Sequence, residues 1–331
     1  MKAKLIYFSK IGVTLGLLAY FLTKVNLRDS YVAIKAADPK LFLFAIVITV
    51  ISWYLAAIRW SAVLGLMQTQ ASASQLFRIN LIGTFYSMVL PGGKLAGDAM
   101  SAHRFTKYQS QGGYSKKYFL SVVMDRFFGM LGIFIFLGFY LLARRSGVSA
   151  LGRQEWLVGL ITVTLAGLGL LAIFSNTLDL LMLWVTKLPI RALQKLREPI
   201  RDGLQKIRQK KSKLWGLLGI TGVSMFFSIL SVYIVNLAVG LNASFEIIAF
   251  AYSLSTIFIV IPITLAGIGL REGTIVYILT KVGFETPKSV ALAFLGIGLL
   301  FIFAATGGLL ELMGIIRLGG KNHDSHNQIQ A

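Results

Sequence analysis

The sequence predicts an all-α polytopic membrane protein with six full transmembrane helices, two re-entrant elements broken at Pro and Gly, and an internal repeat. Of the 331 residues, 56% are hydrophobic and 14% are charged, and the mean hydropathy is +0.74, which is more apolar than one soluble core requires. Several apolar runs reach the roughly 20 residues that a helix needs to cross a bilayer. These runs are continuous rather than alternating, so they predict helices instead of barrel strands.

Six apolar runs are long enough to be full spans. The first follows a basic start at Lys2 and Lys4, as in a signal peptide, but no small-residue cleavage site comes after it, so we predict an uncleaved span. The predicted spans cover residues 5–23, 41–66, 118–143, 156–174, 214–240 and 289–316. We therefore predict a single membrane domain over residues 1–317 and a disordered polar tail over residues 318–331.

Two shorter apolar runs, residues 76–90 and 245–261, each stop at a proline. They lead into "LPGGKLAGD" and "IPITLAGIGLREG", in which Leu-Ala-Gly follows the proline and an acidic residue comes soon after. The two triplets lie 170 residues apart, about half the chain, which indicates two structural repeats, although a three-letter match also arises by chance in a chain rich in these residues. The predicted backbone breaks comprise Pro91, Gly92, Gly93, Gly97, Pro262, Gly267 and Gly269.

Breaks of this kind have a chemical consequence inside a membrane. They leave backbone N–H and C=O groups without helical partners, which is costly unless protein or a hydrated cavity supplies them. Two breaks in corresponding places predict a cavity between the halves of the molecule, as at the binding sites of transporters. Helix N-termini favour anionic groups, so a phosphate-bearing headgroup would suit the cavity. Charged residues at both breaks, Lys94, Asp98, Arg271 and Glu272, favour this interpretation over chance.

Asp125 and Arg126 lie eight or nine residues inside an apolar span. A charge at a helix centre costs about 2.5–3.5 kcal/mol on insertion scales, so both should face the protein interior and find partners. The predicted ion pairs are Arg126 with Glu272 or Asp98, and Asp125 with Arg271 or Lys94. The alternative interpretation is an ion network that only holds the two halves together.

Three more charged residues lie near the ends of predicted elements. Arg59 is near the end of the second span, where its side chain either extends to the membrane surface, the interpretation we favour, or holds a lipid phosphate. Arg104 follows the first break and either reaches a headgroup or lies at the interface. Glu311, near the end of the last span, is open to the same two interpretations.

The formal charge of +20 has a topological explanation, because Lys and Arg accumulate in the cytoplasmic loops of membrane proteins. We therefore predict no nucleic-acid partner. Residues 187–213 carry ten Lys or Arg with apolar residues at three- and four-residue steps, which predicts a basic amphipathic helix on the cytoplasmic face, with a solvated linker as the alternative. This placement predicts a multi-pass protein of the cell inner (plasma) membrane with both termini in the cytoplasm.

The motifs of several enzyme classes do not occur in the sequence. "GGKL" lacks the Ser or Thr of a nucleotide loop, and His-Glu-x-x-His and Gly-x-Ser-x-Gly elements are absent. With no cysteine, disulfides and thiolate chemistry are excluded. We therefore predict no catalytic residue, no metal site and no cofactor.

Three motifs in order, "LPGGKLAGDAMSAHRF", "VVMDRFFGMLG" and "IPITLAGIGLREG", resemble the lysylphosphatidylglycerol synthase transmembrane region family over roughly residues 5–317. These are flippase-like domains that occur alone or as the membrane part of multiple peptide resistance factor. The resemblance implies transport of a lipid between leaflets. In two-domain members a soluble transferase makes lysyl-phosphatidylglycerol. This sequence ends at Ala331 without that transferase, so we expect no lysyl transfer by this chain.

The leading hypothesis is a flippase-like lipid transporter that moves a phosphate-bearing headgroup through the cavity. Its predicted cargo is an anionic phospholipid or a polyprenyl-phosphate-linked lipid, made by a separate synthase. Two alternatives remain: a lipid-modifying enzyme or enzyme subunit, related to phosphatidylglycerol lysyltransferase and acting with a partner, and a secondary transporter of small solutes or ions. The predicted headgroup-binding residues are Lys94, Asp98, Arg104, Asp125, Arg126, Arg271 and Glu272.

Overall fold

The structure is a computed structural model that describes residues 27–67, 69–90, 93–108, 115–143, 211–260 and 267–314, with a few positions between 161 and 168. These residues form helices and turns and include no strand. The described helices are α1 (Leu27–Lys35), α2 (Pro39–Leu66), α3 (Ala73–Val89), α4 (Lys94–Tyr108), α5 (Ser115–Ala143), α6 (Lys211–Ala238), α7 (Phe245–Val260), α8 (Leu270–Lys281) and α9 (Thr286–Leu312).

Four of these helices are long and apolar enough to cross a membrane. They are α2, α5 through its segment Leu120–Gly138, α6 through Lys213–Ala238, and α9. They coincide with four of the six predicted spans, and the all-α membrane class is confirmed. The predicted spans at residues 5–23 and 156–174, the basic segment 187–213 and the tail 318–331 fall wholly or mostly outside the described residues.

Two helices lie where the sequence predicted none. α1 occupies the charged linker before the second span, and its apolar residues Ala33 and Ile34 pack against the core formed by α2, α6, α8 and α9. α4 occupies the polar stretch after the first break and begins immediately at Lys94. Neither segment is apolar enough to appear as a span in a hydropathy profile. Their helical structure depends instead on packing against neighbouring helices, which the profile does not report.

Helix α2 packs against α6 through small hydroxyl side chains as well as apolar ones such as Ile48 and Val235. The Thr49 and Ser231 hydroxyls are 2.5 Å apart, and those of Ser52 and Ser228 are 2.6 Å apart. Small polar residues let membrane helices approach closely and hydrogen-bond across their interface. The opposite face of α2 exposes large apolar side chains such as Phe44 and Val47, as expected for contact with acyl chains.

The two helices on either side of each break lie side by side and antiparallel. In the first hairpin, the Ser101 hydroxyl of α4 lies 3.4 Å from the Ile79 carbonyl of α3, one of many contacts between these helices. In the second hairpin, Phe250 near the start of α7 packs with Ile278 near the end of α8. The helices on either side of each break are therefore packed against each other and do not continue as one rod.

Candidate functional site

A cavity of about 430 Å³ lies among the described helices, and every one of them except α1 contributes to its wall. Both hairpins reach it: the first contributes Lys94 and Asp98, and the second contributes Gly267 and Arg271. The part of its wall that the structure describes carries four cations and one carboxylate. The cations are Arg59, Lys94, Arg126 and Arg271, and the carboxylate is that of Asp98. The rest of the wall mixes hydroxyl and apolar side chains.

Close backbone packing in the first hairpin places Lys94 and Asp98 at the cavity. A Cβ atom on Gly97 would lie 2.2 Å from the Gly83 carbonyl oxygen and 2.8 Å from the Ser87 Cβ, so only glycine fits there. At the turn, Gly93 has a φ of 56°, a backbone conformation that glycine adopts without steric cost. Asp98 follows Gly97 directly and therefore lies at the inner end of the hairpin. Pro91 and Gly92 lie outside the described residues.

Asp98 is the centre of an ion network at the first hairpin. Its two carboxylate oxygens accept hydrogen bonds from Arg126 Nε and Nη2 at 3.2 and 2.8 Å, and Lys94 Nζ is 3.6 Å away. A bidentate Arg–carboxylate pair fixes both side chains in orientation as well as distance. The Arg126–Asp98 pair is one of the two pairings predicted for Arg126 and is confirmed. Arg126 Nη1 also lies 3.9 Å from the carboxylate of Asp125, which pairs with Arg59, so the network joins three cations to two carboxylates and keeps a net positive charge.

The predicted partners of Asp125 were wrong. Its carboxylate accepts from Arg59 Nε at 2.8 Å and from Nη2 at 3.2 Å, rather than from Arg271 or Lys94. Arg59 is only 7% exposed, so the prediction that its side chain extends to the surface was also wrong. The physical reason is the arrangement of α2 beside α5, where Gly129 leaves room for the guanidinium: a Cβ there would lie 3.3 Å from Arg59 Nη2.

In the second hairpin, positive φ values at Gly267 (81°) and Gly269 (90°) turn the chain into α8. Glu272 accepts a hydrogen bond from the Gly269 N–H at 2.9 Å, which caps the N-terminus of α8. The Glu272 carboxylate therefore binds the N-terminus of its own helix, and it forms no ion pair with Arg126. Pro262 lies outside the described residues.

Arg271 differs from the other cavity cations because it pairs with no carboxylate among the residues that the structure describes. Its guanidinium carbon is 5.8 Å from the centroid of the Tyr252 ring, and its buried Nε has no hydrogen-bond partner in this part of the chain. An arginine that lines a cavity and stacks on an aromatic ring is held in position while its charge stays available.

Arg104 was predicted to contact the headgroup, but it is not part of the cavity wall. It pairs with Glu311 of α9, and the Tyr86 hydroxyl donates to the same carboxylate at 3.0 Å. This ion pair connects α4 to the end of α9. Asp125 and Glu272 are likewise absent from the wall, whereas Lys94, Asp98, Arg126 and Arg271 belong to it.

The sequence reasoning missed several wall residues. Arg59 was named in the sequence analysis but was not among the predicted binding residues, although a cation within an apolar run can also find a partner inside the protein. Asn80 and the hydroxyl groups shared by α2 and α6 gave none, because Ser, Thr and Asn are ordinary at helix–helix contacts in membranes. The aromatic residue beneath Arg271, Tyr252, also had no sequence signal because it lies on a different helix.

Comparison with known proteins supports the resemblance noted from the motifs. The family described as "Lysylphosphatidylglycerol synthase TM region" matches residues 7–308 of the chain. A "UPF0104 membrane protein" of Methanothermobacter thermautotrophicus is 23% identical over 278 residues, which cover 78% of this chain and 80% of that relative. Another, from Pyrococcus horikoshii, is 29% identical over 127 residues, which cover 38% of this chain and 37% of the relative. The chain is therefore a membrane protein that belongs to the family of the lysylphosphatidylglycerol synthase transmembrane region.

Proposed function

We propose that the protein is a flippase-like lipid transporter, in which a phosphate-bearing headgroup crosses the bilayer through the cavity between the two hairpins. One observation carries the proposal: both breaks contribute charged or flexible residues to one cavity with an excess of cations. A phosphate in a low-dielectric cavity needs charged donors, and arginine provides them in a planar fork. The acyl or prenyl tail would remain among the exposed apolar side chains of helices such as α2.

The topology belongs to the same proposal. The two hairpins are re-entrant elements, six helices span the membrane, and both termini lie in the cytoplasm. The helices that flank each break are shorter than the four candidate spans and pack against each other, which supports the re-entrant arrangement. Because the natural chain has no cysteine, single cysteines at Gln209 and Ala331 report their side directly with a membrane-impermeant thiol reagent. If the reagent labels either cysteine when it is added to the outside of intact cells, this topology is wrong.

Transport itself is tested with purified full-length protein in liposomes that contain phosphatidylglycerol with a dye on one acyl chain. An impermeant quencher measures the fraction of dye that reaches the outer leaflet. Loss of one charge-assisted contact corresponds to about tenfold in binding, so Arg271→Gln should slow translocation by roughly that factor.

Lys281→Gln is the matched control, since Lys281 is the other cation of the same helix α8 and is not part of the cavity wall. Its translocation rate should equal that of the parent protein. Equal rates for the parent and Arg271→Gln, or no protein-dependent translocation at all, would contradict the proposal.

A further inference from the structure

The carboxylates around the cavity are already engaged by other groups of the protein. Asp98 accepts from Arg126 and lies beside Lys94. Asp125 accepts from Arg59, behind the wall. The remaining carboxylate near the second hairpin, that of Glu272, caps α8. No acidic group among the described residues of this region is left to bind a cation brought in by a ligand.

The undescribed residues at the two breaks do not change this balance. Residues 91–92 are Pro-Gly and residues 261–266 are Ile-Pro-Ile-Thr-Leu-Ala, so neither segment contains Asp or Glu. Of the chain's 13 acidic residues, those outside the described part lie at positions 155, 179, 198, 202 and 324, all distant in sequence from both breaks. Within the two break segments themselves, the charged residues are Lys94, Asp98, Arg271 and Glu272.

Arg271 is the opposite case. It is a cation of the wall with no carboxylate partner among the described residues, and the Tyr252 ring holds its guanidinium in place. A buried charge is costly until it meets an opposite charge, so this guanidinium favours an anion in the cavity. An ammonium group would enter a wall with excess positive charge and would lose its hydration without gaining a partner.

The uncharged polar groups of the wall complete the site. The amide of Asn80 lines the cavity and forms no side-chain hydrogen bond within the described residues. The hydroxyls of Thr84 and Ser87 donate to carbonyls of their own helix, so their remaining lone pairs can accept hydrogen bonds from a ligand. These neutral donors and acceptors can hydrogen-bond the hydroxyl groups of a headgroup, whereas discrimination against an amine depends on the excess positive charge of the wall.

We propose that the cavity selects a headgroup with net negative charge and otherwise uncharged hydroxyl groups, held at its phosphate by Arg271, and that it discriminates against headgroups that carry an amine. The proposal rests on the lipid-transport function proposed above and adds the class of cargo. It also distinguishes this chain from what the family description suggests, since lysyl-phosphatidylglycerol carries two amines and a net positive charge.

The test compares three lipids with identical short acyl chains: phosphatidylglycerol, lysyl-phosphatidylglycerol and phosphatidylethanolamine. Their occupancy on the purified full-length protein in neutral detergent is measured by native mass spectrometry over a concentration series. Both lipids present a phosphate to Arg271, but the amines of the lysylated form would lose hydration beside the excess positive charge of the wall, so phosphatidylglycerol should bind about tenfold or more tightly. Phosphatidylethanolamine should lie between the two.

Arg271→Gln should reduce phosphatidylglycerol binding by about tenfold. It should also lower the preference over the lysylated lipid, because for that lipid the lost phosphate contact is offset by the loss of a cation that repels its amines. Lys281→Gln should change neither. Equal or tighter binding of lysyl-phosphatidylglycerol by the parent protein would overturn the proposal without recourse to any variant.

The same three lipids in the liposome assay separate this proposal from the proposed function. If all three cross at equal rates, the protein transports lipids but the selectivity proposal is wrong. If none crosses while phosphatidylglycerol still binds selectively, the headgroup site stands and the transport function is wrong.

Discussion

The two broken elements have similar sequences but different electrostatics. At the first hairpin, Lys94 and Asp98 belong to an ion network in which Arg126 completes a bidentate pair. At the second, Arg271 rests on an aromatic ring with no carboxylate partner in the described residues, and Glu272 is used to cap a helix. The same Leu-Ala-Gly repeat thus supports a locked hairpin on one side of the cavity and an available cation on the other. We infer that the first hairpin mainly provides structure and the second mainly provides affinity.

The largest expected effect comes from removing the centre of the locked hairpin. Asp98→Asn removes the carboxylate that Arg126 and Lys94 share and leaves only Asp125, 3.9 Å from Arg126 and already paired with Arg59; breaking a buried pair typically costs about 3–5 kcal/mol. Arg271→Gln removes a cation that has no carboxylate partner among the described residues, so the loss of its contact with Tyr252, about 1 kcal/mol, is offset by the removal of an uncompensated charge. Thermal unfolding of the purified variants in detergent should show a much larger loss of stability for Asp98→Asn.

A double variant tests whether the ion pair is the cause. If Arg126 is the main group left uncompensated, Asp98→Asn combined with Arg126→Gln should be less destabilised than the sum of the two single variants. A comparable loss of stability for Asp98→Asn and Arg271→Gln would remove the distinction between the two hairpins.

The glycines of the two breaks should respond to substitution in opposite ways. Gly97 is required by close packing, so a larger side chain is worse: Gly97→Ala should cost about 1–3 kcal/mol and Gly97→Asn more. Gly267 is required by its positive φ and borders open space in the cavity, so Gly267→Asn should cost less than Gly267→Ala because Asn tolerates this conformation.

Gly273→Ala is the control for both glycines, since nothing lies within 4 Å of a Cβ at this helical position. Its stability should equal or slightly exceed that of the parent, because alanine is the better helix former. Melting temperatures of the five variants give the full pattern. The same order of Ala and Asn at both glycines would show that one cause, steric or conformational, acts at both breaks.

The features that the sequence predicted are those set by a single segment. The span at residues 41–66 and the end of the helix before Pro91 follow from apolar runs and turn residues, and α2 and α3 lie there. The Arg126–Asp98 pair could also be predicted, because a charge inside a span must pair with one of very few opposite charges. Each of these inferences needs only the local sequence and the energetic cost of an unpaired charge or a broken helix inside a membrane.

The features that the sequence did not reveal depend on which helices are neighbours. Asp125 had several candidate cations, and only the packing of α2 beside α5 selects Arg59. Similarly, α4 is a polar helix that stays in place because Gly97 lets it approach α3 closely, a fact that hydropathy does not encode. The position of Tyr252 beneath Arg271 needs the antiparallel packing of α7 on α8.

The smallest predicted effect tests whether the second hairpin owes its affinity to a positioned guanidinium. Tyr252→Leu keeps the apolar volume but removes the ring 5.8 Å from Arg271, a contact worth about 0.5–1 kcal/mol at a partly exposed site. Phosphatidylglycerol binding should therefore weaken by about two- to fivefold.

Tyr277→Leu is the matched control, because that ring lies 5.7 Å from Lys281 on the same helix and is not part of the cavity wall. If both variants bind like the parent, the ring does not position Arg271 for binding. If both weaken equally, the effect of Tyr252 acts through α8 as a whole. A loss confined to Tyr252→Leu is expected because only this ring supports the cation that has no carboxylate partner among the described residues.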